Sequence, residues 1–476
     1  MIKAIVALSA LLSIVIGTSI FISGHDKGTV SNIDVRDSSR AEQNYANFCG
    51  GCHGQKLNAF VERKWKHGNS SSDLFKAIKK GYHDEGMPGF DAAFSDAEIN
   101  ELVSYIQTGI KNVKRSDFKE STSNVFKHES LAVRLDTVLS GLAVPWGMAF
   151  LPNGDMLITE RSGKIFRVTK YRKVDTIVGV PGVVAAGQGG LLDIILHPHF
   201  ARNNVLYISY SKGKTEDNRV LATTAITRAV LKGNALTEQK VIFEAQPYSR
   251  TRHHYGSRFE WGKDGYLYFS VGERGNEKEN PQDLKRDLGK VHRIKDDGSI
   301  PADNPFLKTP GAMPSIYSYG HRNPQGMAIH PKTGDIWTNE HGPKGGDEIN
   351  IVRKAANYGW PLTSYGINYN GTILTENKTM EGIETPLLNW VPSIAPSGMA
   401  FVKGNRYKEW KDGLLVGSLV FKYLNLCYLD GNKVVKQERL LNNIGRVRDV
   451  RMAPDGFIYV AVETPGAVFR LLPVRD

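Results

Sequence analysis

Cysteine is scarce, with three in 476 residues. An exported fold stapled by disulfides carries more, in even number, so no disulfide framework is expected. Cys49 and Cys52 share one short motif, and Cys427 stands alone in an apolar strand-like run, where it reads as a buried thiol. Long apolar runs are also missing, with one exception. After Met1-Ile2-Lys3, the stretch from Ala4 to Ile22 is almost wholly apolar. A short positive start before an apolar core is the pattern of an export signal. The run approaches the roughly 20 residues that span a bilayer, so an uncleaved anchor is the alternative. No cysteine follows it, which argues against a lipoprotein. Residues 1–24 are therefore set aside as signal peptide or anchor. The expected location is the periplasm, free or held to the inner membrane by this segment.

Nucleic-acid motifs are absent too. The chain carries 61 Lys and Arg against 49 Asp and Glu, a net charge of +12, but the basic residues are scattered. That distribution argues against nucleic acid and leaves solubility or attraction to acidic partners. From residue 130 onward there is no C-x-x-C pair, no H-E-x-x-H, no P-loop and no strand–G-x-G-x-x-G–helix unit. The 48 glycines and 19 tyrosines lean toward turns and strands.

Residues 49–53 read Cys-Gly-Gly-Cys-His. C-x-x-C-H is the attachment signal of haem c: Cys49 and Cys52 bond the two vinyl groups and His53 ligates the iron. A redox dithiol or half a zinc site leaves His53 unexplained, and no second cysteine pair completes a zinc ligand set. Met87, in Gly86-Met87-Pro88-Gly89, is the expected second axial ligand, because a thioether opposite His raises the haem potential. His67 and His83 are the alternatives. Ser95-Asp96-Ala97-Glu98 is a capping box, followed by Ile99, Leu102, Val103 and Ile106 on one helical face, with Gly109 as the stop. Leu74, Phe75 and Ile78 mark a shorter helix ending near Gly81. Residues 36–110 resemble a class I cytochrome c domain, and the polar stretch 111–129 reads as a linker.

Over 130–476 one unit recurs six times: a small-apolar strand, a turn, then a second apolar strand. Gly147-Met148-Ala149-Phe150 leads through Asn153-Gly154 to Met156-Leu157-Ile158, and Gly326-Met327-Ala328-Ile329 leads to Asp335-Ile336-Trp337. Asn-Gly and Asp-Gly between apolar runs are hairpin signals. Six such units imply six sheets packed radially, a six-bladed β-propeller preceded by a small all-α domain.

The informative residues lie between these strands: Gly187-Gln188-Gly189, His253-His254, Gly320-His321-Arg322-Asn323, His341-Gly342-Pro343, and Arg446-Val447-Arg448. In a propeller such loops gather at one mouth of the channel. Several Arg there suit a ligand with several carboxylates, and a His among them suits a general base. A haem takes electrons singly while an alcohol releases two, and a quinone bridges that mismatch.

In order and density these loops resemble the soluble quinoprotein glucose dehydrogenase and aldose sugar dehydrogenase family. The resemblance implies pyrroloquinoline quinone (PQQ), calcium and oxidation of a sugar at its anomeric hydroxyl. The cytochrome segment implies a built-in electron acceptor serving a further acceptor in the periplasm. The resemblance makes His254 the base, with Arg322 and Asn323 at the quinone oxygens and Gln188 at the substrate edge. Arg446 and Arg448 would pair with PQQ carboxylates, Gly342 and Pro343 would offer carbonyls to calcium, and Trp390 would wall the pocket. His253 stands where the family pattern has Asp. Val420 stands where the pattern after Ser418-Leu419 has Lys, and an alternating strand would put Lys422 on the same face as a substitute. A calcium-dependent propeller lactonase, or a sugar- or protein-binding propeller without catalysis, are the competing readings.

Overall fold

In this computed structural model the described residues are 39–53, 57, 60, 65–82, 87–112, 124–275 and 279–475. The expected export segment and His83 lie outside them, as does most of the expected linker. Among the described residues no helix is long and apolar enough to cross a membrane.

The N-terminal part is helical. Arg40–Asn44, a π-helical turn Tyr45–Cys49 and Gly50–His53 run on from one another, followed by Ser71–Lys80 and Asp96–Asn112. Ser71–Lys80 starts at a capping box, in which Ser70 accepts from the Asp73 amide and Asp73 accepts from the Ser70 amide. It stops at Gly81, whose φ of 70° suits a residue without Cβ. The longer helix starts as expected, with Glu98 accepting from the Ser95 amide at 2.9 Å. It does not stop at Gly109 but continues to Asn112. Gly109 serves packing instead: a Cβ there would lie 2.1 Å from Leu57 Cδ1. Ile99, Leu102, Val103 and Ile106 bury one face against Leu74, Ile78, Phe90 and Phe94.

The rest is six antiparallel sheets, five of four strands and one of five. Their first strands are Pro145–Phe150, Leu191–Leu196, Phe259–Trp261, Pro324–Ile329, Pro396–Phe401 and Val447–Met452. The ring closes through the chain ends, because Ala132–Ser140 pairs with Ala467–Val474 in the five-stranded sheet that begins at Val447–Met452. Closure of this kind leaves few exposed edges. A short strand Val125–Phe126, within the expected 111–129 linker, pairs with Val133 and Arg134.

The repeated Gly-Met-Ala has a steric cause. A Cβ on Gly147 would lie 2.6 Å from Asp193 Oδ1, on Gly326 2.3 Å from the Ser397 carbonyl, and on Gly398 2.2 Å from Asp449 Oδ1. Each neighbour belongs to the first strand of the next sheet. Glycine is the residue that lets adjacent blades approach at the axis. Asp193 and Asp449 are held there by Arg258 and Arg451 in a buried network at 2.8–3.2 Å. The Arg258 guanidinium of this network lies over the Trp146 ring at 4.3 Å.

Candidate active site

Trp146, Leu192, Gln325 and Arg448 are the second residues of four of these first strands, and all four line one cavity of about 690 Å³. The cavity therefore sits where the inner strands begin. The loops after the second strands of the sheets reach the same end, and they bring His341, Gly342, Pro343, Val420 and Glu463 to its wall. Such a volume is in the range of ligand sites.

His254 is 7% exposed and takes a φ of 55°, and its amide donates to Gln188 Oε1 at 2.8 Å. Its Nδ1 lies 2.5 Å from Glu273 Oε1. Burial, and then the cationic Arg322 and the imidazoles of His253 and His341, push His254 well below the usual imidazole range. The ring is therefore neutral, and Nδ1–H donates to Glu273. Nε2 is left with a lone pair, as a base requires. The chain approaches itself closely here: a Cβ on Gly272 would lie 2.1 Å from the His254 carbonyl and 2.9 Å from Asn323 Oδ1. Asn323 Oδ1 accepts from the Gly256 amide at 3.1 Å.

Arg322 is anchored by its amide, which donates to Glu340 Oε2 at 2.7 Å, while His321 Nδ1 meets Glu340 Oε1 at 2.9 Å. Its guanidinium donates to the carbonyls of His341 at 3.1 Å and Gly342 at 2.7 Å and lies over Trp360 at 5.0 Å. Among the described residues, Arg322 Nε and Asn323 Nδ2 are buried donors without a protein acceptor. An oxygen-rich ligand or ordered water would satisfy them. His341 donates to the Pro396 carbonyl at 2.7 Å, and burial depresses it to about 3.

Arg446 and Arg448 converge on Glu463: each Nε donates to one of its carboxylate oxygens at 2.7 Å. Burial pushes Glu463 up, but the two guanidiniums overcome this and hold it well below the carboxylate range. Two cations against one anion leave the wall positive, which suits an anionic ligand. Arg448 also donates to Gln325 Oε1 at 2.9 Å and lies over Trp146 at 5.7 Å.

Of the expected positions, Gln188, Gly342, Pro343, Arg446 and Arg448 line the cavity, whereas His254, Arg322, Asn323, Trp390 and Lys422 are not among its lining residues. Trp390 ends the strand Leu388–Trp390 and packs into the core with Trp337 and Phe401, its indole donating to Gln437 at 2.8 Å. The cavity wall there is Val391, Pro392 and Ser393 instead. Lys422 fails because the alternation ends early. The strand stops at Ser418, residues 419–423 are a bend, and Lys422 has a φ of 56°. Val420 and Phe421 line the cavity and Lys422 does not.

Gly342 and Pro343 both line the cavity, and the Gly342 amide donates to Asp347 Oδ1 at 2.8 Å. Burial raises Asp347 to about 6. Among the described residues no group of three or more His, Cys, Asp or Glu is arranged to hold a metal ion.

In the helical part Cys49 is buried, and Met87 packs against the same apolar cluster. His53 stacks on Phe60 at 4.6 Å. Met87 is held by a two-way backbone bridge to Tyr82, at 2.8 and 3.1 Å, and His67 stacks on that tyrosine at 3.8 Å. This segment reaches the cavity, since Ala46 and Phe48 line it.

Sequence reasoning missed Glu273 and Glu463. A signal for both was present: Glu160, Glu273, Glu340 and Glu463 each close or follow the second strand of a sheet. Aligning the repeats at that position exposes four acidic residues at the cavity end.

A family model described as glucose/sorbosone dehydrogenase matches residues 142–470, and one described as cytochrome c oxidase, cbb3-type, subunit III matches 36–106. The aldose sugar dehydrogenase of Escherichia coli is 40% identical over 347 residues, which are 72% of this chain and 93% of that protein. Quinoprotein glucose dehydrogenase B of Acinetobacter calcoaceticus is 29% identical over 70% of this chain and 85% of its own length. The PQQ-bound structure of the Streptomyces coelicolor aldose sugar dehydrogenase is 29% identical, with a TM-score of 0.59 over 72% of this chain and 98% of that one.

Proposed function

Because the chain belongs to the glucose/sorbosone dehydrogenase family, it is an oxidoreductase, and we propose that it oxidises an aldose to the lactone with PQQ and calcium and passes the electrons to a haem c on its own N-terminal helices. The observation that carries this reading is the shared cavity. Gln188, Gly342, Arg446 and Arg448 line it together with Ala46 and Phe48 of the segment leading into Cys49, and His254, paired with Glu273, is joined to it through the bond from its amide to Gln188.

Residues for PQQ, calcium and haem c are assigned as follows in this reading. Arg446 and Arg448 supply the positive wall for carboxylates, and Arg322 and Asn323 supply donors for quinone oxygens. Gly342 and Pro343 would offer hard carbonyl oxygens to calcium, the Gly342 carbonyl already accepting from the Arg322 guanidinium at 2.7 Å. Cys49, Cys52, His53 and Met87 supply the covalent and axial groups for haem. Bound PQQ would supply a two-electron acceptor for the hydride leaving the anomeric carbon. His254 takes the hydroxyl proton in the same oxidation, while Glu273 holds its ring at Nδ1 and Gln188 holds its backbone amide. Val420 puts an apolar side chain where the family pattern has Lys, so carboxylate binding falls mainly to the arginines.

Reconstitution with PQQ and calcium, followed by an aldose, should bleach the oxidised haem spectrum only when cofactor and sugar are both present. Lactone hydrolysis without haem reduction would establish the lactonase reading, and sugar binding without turnover the binding-module reading. Arg446→Ala is the companion test, because Glu463 keeps Arg448 in that variant. Losing one charged hydrogen bond should weaken PQQ by about 1.5–3 kcal/mol, roughly 10- to 150-fold. PQQ titration in calcium reads this directly, and unchanged affinity would remove Arg446 from the site.

A further inference from the structure

We propose that the N-terminal helical segment is the sugar-size filter of the cavity, with Phe48 and Ala46 as its specificity-determining residues; this rests on the dehydrogenase reading above. Both residues lie on the turn Tyr45–Cys49, and both line the cavity that otherwise belongs to the propeller. Phe48 is locked from two sides. Phe94 and Phe90 meet it edge-on at 5.0 and 6.4 Å from its own helical core. From the propeller, the Lys344 ammonium lies 3.6 Å from its ring centroid, and Gly371 comes close to the ring, since a Cβ there would lie 3.1 Å from Phe48 Cε1. A ring pinned in this way is a rigid wall, which a specificity device needs.

The rest of the mouth supports the same assignment. Ile367, Tyr369, Val391 and Phe421 line the cavity and are 36%, 39%, 65% and 39% exposed. Exposed apolar side chains gathered at one opening mark a binding lip rather than chance. Their flat apolar faces suit the C–H face of a sugar ring. An aldose enters with its anomeric carbon toward His254, so a second sugar ring would project back through this lip. Ala46 is small and exposed and Phe48 is fixed, so together they set how much of that second ring is admitted.

The test compares a monosaccharide aldose with a disaccharide of the same reducing sugar, using a soluble artificial electron acceptor so that haem reduction is not the readout. The wild-type chain should favour the monosaccharide in kcat/KM. Phe48→Leu keeps an apolar side chain in the helical core and should lower that preference roughly tenfold, the low end of what one group in a pocket contributes. Ala46→Trp, at an exposed position, should raise it. Calorimetric binding of the 1,5-anhydro analogues, which have no anomeric hydroxyl to oxidise, should shift in the same directions. A preference and analogue affinities unchanged in both variants would overturn the inference while leaving the dehydrogenase intact. If the wild-type chain oxidises no sugar at all, the functional reading fails first and the filter falls with it.

Discussion

Replacing His254 with Ala is expected to cut sugar turnover by roughly 10²–10⁴-fold, the usual contribution of a positioned general base. PQQ affinity should hardly change, because Arg446 and Arg448 keep Glu463 in that variant. The pH profile separates a base from a structural imidazole. Burial holds His254 below the usual imidazole range, with Arg322 adding to the effect. The base is competent only when deprotonated, so activity is present above this depressed pKa and is lost as pH falls through it. The acid limb of kcat/KM should therefore lie below the ordinary imidazole value of about 6.5. Glu273→Gln is the sharper variant. The Glu273 carboxylate, 2.5 Å from Nδ1, favours the imidazolium that forms when the proton is taken. Its removal should lower turnover and move the acid limb to still lower pH. A Glu273→Gln profile that superposes on wild type would show that the carboxylate only fills space, and near wild-type turnover in His254→Ala would assign the proton to another group.

The propeller was legible because its cause is local and repeated. Gly147, Gly326 and Gly398 recur at one strand position because each lets the next blade's Asp193, Ser397 or Asp449 come close. Steric requirements of that kind leave a periodic mark in the chain. The helical starts were legible for the same reason, since Ser70 with Asp73 and Ser95 with Glu98 are contacts over three residues. Gly109 was misread because its partner, Leu57, is distant in sequence and glycine near the end of an apolar pattern looks like a stop. Lys422 and Trp390 failed on a finer scale. Alternation predicts a face only while the strand lasts, and the strand had ended at Ser418. Trp390 turned inward to Trp337 and Phe401, leaving the neighbouring Val391, Pro392 and Ser393 at the wall. Glu273 and Glu463 pair with residues 19 and 15–17 positions away, His254 for the first and Arg446 and Arg448 for the second, and no short motif encodes such a pairing.

The double variant Cys49→Ala/Cys52→Ala should carry no covalent haem while retaining sugar oxidation with a soluble artificial acceptor. The expectation rests on separate construction of the two centres. Gln188, His254, Arg322, Asn323, Arg446 and Arg448 all come from the propeller, and their partners Glu273, Glu340 and Glu463 do too. The haem motif lies on the Arg40–His53 helices, whose core of Leu74, Phe90, Phe94 and Leu102 is shared with Ser71–Lys80 and Asp96–Asn112. Thioether bonds survive denaturation, so the wild-type chain should keep its haem through acid organic extraction and the double variant should release any it holds. With the haem gone, electrons from the sugar have no acceptor within the chain, and turnover without added acceptor should fall to background. The artificial acceptor bypasses that loss. Haem extractable from the wild type would overturn covalent attachment. Full turnover of the double variant without added acceptor would show that the electrons never pass through the N-terminal helices, even though Phe48, the residue before Cys49, lines the same cavity as Gln188 and Arg448.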